Sequence, residues 1–331
     1  NGKQLQQLNP ETGLIEDRYV LSRSRYPEGR IVQLQHNGGR LFMDISWRKE
    51  EFLTSTTLVL NSATFEVTAE LNDVSNYTVN QDQMILVQRS DWSAPEEYGR
   101  LNLVTQKKEK LFDSTLLNPE GYYSFYVSSL AYDEKENCLW LTAGSPNESD
   151  LYQYSLDDQT LRLRARPDQL NTWNEQSFML FPIADSQFVL GLWQAEDMVG
   201  DNFDIYEFDG SHAELIAKDL PLGGDFVLTE NGAFTAEYSQ WDWSQPFQDM
   251  NSATYREYST IYYRSGEEKE ELLQLDSSSI QMAYLPASRK LWLRAQEESI
   301  KYPQESWITY LFDLDSGELR KVNEESFNIY E

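Results

Sequence analysis

Apolar residues along this chain alternate with polar ones over short stretches, and each stretch ends in a small, polar or glycine-bearing turn, the pattern of half-buried β-strands joined by hairpins. The clearest copy lies near the C-terminus, where a strand at Tyr310–Leu314 is followed by a turn at Asp315–Gly317 and a second strand at Glu318–Val322. Six further segments read the same way: Leu5–Leu21 around Asn9–Gly13, Leu58–Leu71 around Asn61 and Ser62, and Leu101–Phe112 around Gln106 and Lys107 belong to the first half. Leu151–Leu163 around Asp157 and Asp158, Ile205–Ile216 around Asp209 and Gly210, and Ile261–Leu273 around Ser265 and Gly266 complete the set.

A second kind of hairpin sits between these copies, with turns at His36–Gly39, Asn80–Gln83, Asp133–Asn137, Ala184–Ser186, Glu230–Gly232 and Pro286–Arg289. Two of them share one spacing. Ala131 and Tyr132, then Leu139, Trp140, Leu141 and Ala143, match Ala283 and Tyr284, then Leu291, Trp292, Leu293 and Ala295. The markers Leu58, Leu101, Leu151, Ile205, Ile261 and Tyr310 stand 43, 50, 54, 56 and 49 residues apart, room for four short strands per step. A four-stranded antiparallel sheet repeated at this period is the blade of a β-propeller. Helical repeats are excluded, because the apolar positions lack helical spacing.

Seven outer hairpins against six inner ones do not divide into whole blades. The expectation is therefore seven blades, the seventh built by Phe327–Tyr330 beside Leu5–Leu21 so that the two chain ends close the ring and cover a sheet edge. Six blades with the N-terminal hairpin as an appendage is the alternative count. No linker-like stretch divides residues 1–331, which reads as a single domain.

The segment Phe312–Val322, the segment Leu8–Gly13 and the Leu-Trp-Leu strands resemble those of bacterial β-propeller repeat proteins, the TolB-like, YVTN-type and quinoprotein-like group. The resemblance is one of fold. The tryptophan that quinoprotein repeats carry after the glycine turn is missing, and no family activity or quinone site is implied.

Charge narrows the function. Lys and Arg number 27 against 55 Asp and Glu, a net charge of −28, which repels a phosphate backbone and excludes nucleic acid as a partner. One cysteine, Cys138, rules out an intrachain disulfide and a thiolate metal cluster. His36 and His212, the two histidines, fall in turn-like runs and read as solvated. No run is long and apolar enough for a transmembrane helix. Asn1 to Gln4 lack an initiator methionine, which suggests that a leader has been removed, one bearing a lipid anchor included, and an extracellular, periplasmic or cell-surface location is expected.

Candidate chemistry concentrates in the connections between second and third strands. Tryptophans stand where those strands end, beside carboxylates: Trp47, Trp92, Trp193 with Glu196 and Asp197, and Trp241, Asp242 and Trp243. An indole joins a large apolar plane to one N–H donor, and neighbouring carboxylates accept from hydroxyls or pair with Lys and Arg, which suits a protein or glycan partner. Trp140 and Trp292, in mid-strand, read as packing between blades. Asp197, Asp201 and Asp204 form the best calcium candidate, although they lack the spacing of a twelve-residue calcium loop; no cofactor is expected. No residue stands out as catalytic. The expected function is a non-catalytic binding module, exported and acidic, that uses the loops of one face. Two alternatives are a carbohydrate-active enzyme with a carboxylate pair in the central funnel and a structural component of a cell-envelope assembly.

Overall fold

The computed structural model describes residues 4–8, 15–49, 52–88, 94–118, 126–145, 148–167, 176–182, 188–194, 202–208, 212–221, 225–238, 258–277, 279–297 and 306–323. Their strands are arranged as consecutive antiparallel meanders. β3 (Arg30–Asn37), β4 (Arg40–Lys49), β5 (Phe52–Asn61) and β6 (Val67–Asn72) form one sheet; β7 (Val74–Asn80), β8 (Gln83–Gln88), β9 (Glu97–Asn102) and β10 (Lys108–Asp113) form the next. The run β11 (Tyr126–Asp133), β12 (Cys138–Ser145), β13 (Glu148–Ser155) and β14 (Thr160–Ala165) is joined to β15 (Gln176–Pro182), β16 (Phe188–Gln194), β17 (Asn202–Phe208) and β18 (Ala213–Pro221) in one eight-stranded sheet. The join is a single parallel pairing of Ser149 with Ser177. Two further sheets of four follow, β19 (Phe226–Thr229), β20 (Gly232–Tyr238), β21 (Ser259–Ser265) and β22 (Glu268–Leu275), then β23 (Ile280–Leu285), β24 (Lys290–Glu297), β25 (Ser306–Asp313) and β26 (Leu319–Asn323).

The expected seven blades are not what these strands make. Four sheets stand as separate four-stranded units, the eight-stranded sheet accounts for two more runs of four, and β1 (Gln4–Leu8) with β2 (Ile15–Val20) forms a two-stranded hairpin. Counting turns counts hairpins, and a hairpin becomes a blade only when two more strands pair with it; among the described residues β1 and β2 pair with each other alone. Phe327–Tyr330, assigned to close the ring, lie outside the described residues. The chain groups into two compact units, Asn1–Leu5 with Tyr19–Leu215 and Gln6–Arg18 with Ile216–Glu331.

The repeat is written in hydrogen bonds as well as in letters. In the outer turns Asn61 Oδ1 accepts from the N–H groups of Ala63 and Thr64, Asn102 Oδ1 from Val104 and Thr105, and Asp313 Oδ1 from Asp315 and Ser316. Four residues beyond each acceptor the chain turns left-handed, at Phe65, Gln106 and Gly317, with φ of 55°, 58° and 71°. The outer turn is also tied to the inner one: the N–H groups of Ser62, Leu103, Leu156 and Leu314 donate to the carbonyls of Gly39, Asp82, Asn137 and Arg289 at 2.8–3.1 Å. The fourth strands β6, β10, β14, β22 and β26 each carry one unpaired extra residue, Thr68, Leu111, Arg164, Leu272 and Val322 respectively. Such a bulge twists an edge strand and blunts its pairing with another chain.

The second strand β8 is buried on both faces because sheets stack on either side of it. In β8, Met84 and Leu86 pack towards Phe42 and Val59 of the preceding sheet, and Ile85 and Val87 towards Leu130 and Leu139 of the following one. The near-continuous apolar run Met84–Val87 is the sequence record of that burial.

Candidate functional site

Trp47 does not stand on a loop. β4 runs through it to Lys49, and Trp47 pairs with Thr54 of β5 in a tight hairpin. Its indole N–H donates to Thr56 Oγ1 at 2.9 Å, Thr56 Oγ1 donates on to Asn72 Oδ1 at 3.0 Å, and the ring meets Tyr26 edge-on at 5.7 Å. The half-buried indole is thus tied across three strands of its own sheet. Trp193 is likewise a strand residue, paired with Ser177 of β15 and Phe203 of β17. The β12–β13 connection is a hairpin in which Ser145 pairs with Glu148. Trp92, Glu196, Asp197, Asp201, Trp241, Asp242 and Trp243 lie outside the described residues.

Asp204, the third member of the calcium candidate, is a buried residue of β17 that accepts the hydroxyl of Tyr206. Burial and this carboxylate push the Tyr206 phenol up to about 12. Among the described residues no group of three or more His, Cys, Asp or Glu side chains gathers as a metal site. Both histidines are exposed, and Cys138 is buried, its thiol pushed up to about 11 chiefly by burial.

Sequence reasoning missed two half-buried carboxyls. Asp44 of β4 accepts the hydroxyls of Thr57 at 2.7 Å and of Tyr77, from the neighbouring sheet, at 3.2 Å; burial raises its pKa against the lowering effect of both bonds. Asp225, just before β19, accepts the backbone N–H of Met282 at 2.9 Å, and burial pushes it up to about 6. The signal for Asp44 was present, a lone carboxylate between Met43 and Ile45 in an apolar strand. A mostly buried guanidinium was missed too: Arg264 donates to the Lys218 carbonyl at 3.0 Å and pairs with Glu237, which also holds Lys269 at 2.7 Å.

No protein-family model and no curated protein matches the chain. Solved structures do. The β-propeller domain of the Trilobed protease from Pyrococcus furiosus is similar over 90% of this chain and 86% of that one, at 11% identity and a TM-score of 0.54. This fold is a β-propeller. A prolyl endopeptidase is similar over 92% of this chain at 10% identity and a TM-score of 0.55, and the match covers 42% of that longer chain. TolB from Acinetobacter baumannii aligns over 88% of this chain and 77% of its own at 8% identity, with a TM-score of 0.42, too low to add to the fold. These likenesses are of fold; among the described residues no helix is long and apolar enough to cross a membrane.

Proposed function

We propose that this propeller is a non-catalytic binding module that engages a protein partner through the connections between second and third strands. The observation that supports the reading is the polarity of each meander. Its tight, mutually hydrogen-bonded turns leave one end of the sheet, as at Gly39 with Ser62 and Asp82 with Leu103, and the second-to-third connection leaves the other. The tryptophans and carboxylates Trp92, Trp193, Glu196, Asp197, Trp241, Asp242 and Trp243 belong by sequence to, or border, the connections of that second kind. Trp47, anchored to Thr56 and Tyr26, serves that end as a support for its sheet. An exported, cell-surface setting accords with the acidic composition, since dense carboxylates keep such a surface hydrated.

The test is affinity capture from the native source with wild type and with the Trp193→Ala/Trp241→Ala double variant, read together with thermal unfolding. The expected result is one partner retained by wild type and lost by the double variant, with the melting temperature of the variant nearly unchanged. A large fall in stability would assign those rings to the core instead.

A further inference from the structure

The seam between the sheets β19–β22 and β23–β26 is apolar for most of its depth, with Phe234, Ala236 and Ile261 facing Met282, Leu291 and Leu293. One carboxyl enters it. Asp225 Oδ2 accepts the N–H of Met282 from β23, and the carbonyl of Asp225 accepts the N–H of Ala236 from β20 at 3.0 Å. Both facing strands thus meet this residue with main-chain amides, and among the described residues no ionised side chain of either acts on its carboxyl. A carboxylate has about four acceptor positions. Among the described residues the seam supplies one donor for them. Ionised, the group draws water into the seam; neutral, it rests among apolar side chains at far smaller cost. Away from Asp225, an open cleft of about 340 Å³ lies between the two sheets, with Leu275 and Asp276 on one side and Ala295, Ile308 and Tyr310 on the other.

The geometry points to a proton-operated joint: with a proton on Asp225 the two sheets close on one another, and loss of that proton loosens the seam along Met282. The joint acts independently of any binding role. Since burial holds the carboxyl at about 6 in the folded chain against 3.8 ordinarily, folding takes up a proton between those values. The stability contributed by the neutral acid is therefore complete in acid and is lost as pH rises through about 6.

Hydrogen exchange at the Met282 amide, corrected for the intrinsic pH dependence of exchange, reads the joint directly. In wild type its protection is expected to fall roughly tenfold or more between pH 5 and pH 7.5, with a shift of about two units setting a ceiling of about a hundredfold. Amides of β12 serve as the internal reference and keep their protection. Asp225→Asn retains an acceptor for Met282 but cannot ionise, and its Met282 protection is expected to be independent of pH. Unchanging protection at Met282 in wild type, or an Asn variant that loses protection as wild type does, overturns the joint; should the Asn variant fail to fold, the wild-type profile decides alone.

Discussion

Trp140 and Trp292 occupy one position in two sheets of equal spacing, each paired with an alanine of the first strand, Ala131 or Ala283, and both are nearly fully buried. Their surroundings differ. Trp140 reaches the neighbouring run of strands, where Phe188 lies at 5.7 Å and Phe208 at 5.9 Å, and the guanidinium of Arg164 sits 5.8 Å from the ring. The described apolar neighbours of Trp292 are Ala283, Leu285, Leu311 and Val322, all of its own sheet. Two residues on, Thr142 makes a compact hydroxyl cluster with Ser129 at 2.5 Å and Ser128 at 2.8 Å, whereas Arg294 takes the same place and donates to Gln281 at 2.8 Å. The repeat therefore carries the register, and the layer outside each sheet selects what the face is made of.

The largest expected effect tests that difference. Trp140→Ala should cost about 3–5 kcal/mol in urea unfolding, as a large aromatic removed from a closed site does. Trp292→Ala should cost less, and equal losses would erase the distinction. Trp140→Phe should lose well under half as much as Trp140→Ala, because the buried indole N–H of Trp140 has no hydrogen-bond partner to forfeit among the described residues.

A smaller effect separates the outer turns. Asn102→Ala removes the acceptor of two backbone N–H groups and should cost about 1–2 kcal/mol. Ser155, at the same position of the β13–β14 turn, accepts from Asp158 alone, so Ser155→Ala should cost less than half of that. At Asp313 the effect depends on pH. Backbone N–H bonds, that of Ser316 first, hold its carboxyl below the ordinary range, so stability is present above the ordinary carboxylate pKa and lost as pH falls through the lowered one. Asp313→Ala should therefore lower the melting temperature at pH 7 and have little effect in strong acid.

The smallest effect concerns a single backbone angle. Gln159 in the β13–β14 turn has φ of 53°, and Gly317 holds the corresponding place in the β25–β26 turn at 71°. Relief of left-handed strain should make Gln159→Gly stabilising by about 0.5–1 kcal/mol in thermal unfolding, and Gly317→Gln destabilising by a similar amount. A loss of stability in Gln159→Gly would show that its side chain matters more than its backbone.

Much of this fold was legible in the letters. The turns at His36–Gly39, Asn80–Gln83 and Pro286–Arg289 lie where small and polar residues interrupt alternation, and the shared spacing around Trp140 and Trp292 produces one register. The bulges at Thr68, Leu111, Arg164, Leu272 and Val322 were not legible, because an extra residue has meaning only against a partner strand. Trp47 misled for a related reason. A tryptophan near the end of an apolar run looks the same whether the strand stops there or continues into a hairpin, and pairing with Thr54 continues it. Asp44 and Asp225 were obscured by the abundance of acids, since among 55 carboxylates little local marks the ones that burial raises.

The sequence by itself determined the antiparallel meander and its period, because alternation and turn chemistry are local and need no knowledge of neighbours. Tertiary structure alone decided how the strands divide into sheets, which indoles are locked into them, and that Asp225 lies in an apolar seam. Those outcomes depend on groups brought together from distant parts of the chain, and burial, pairing and desolvation exist only once they meet.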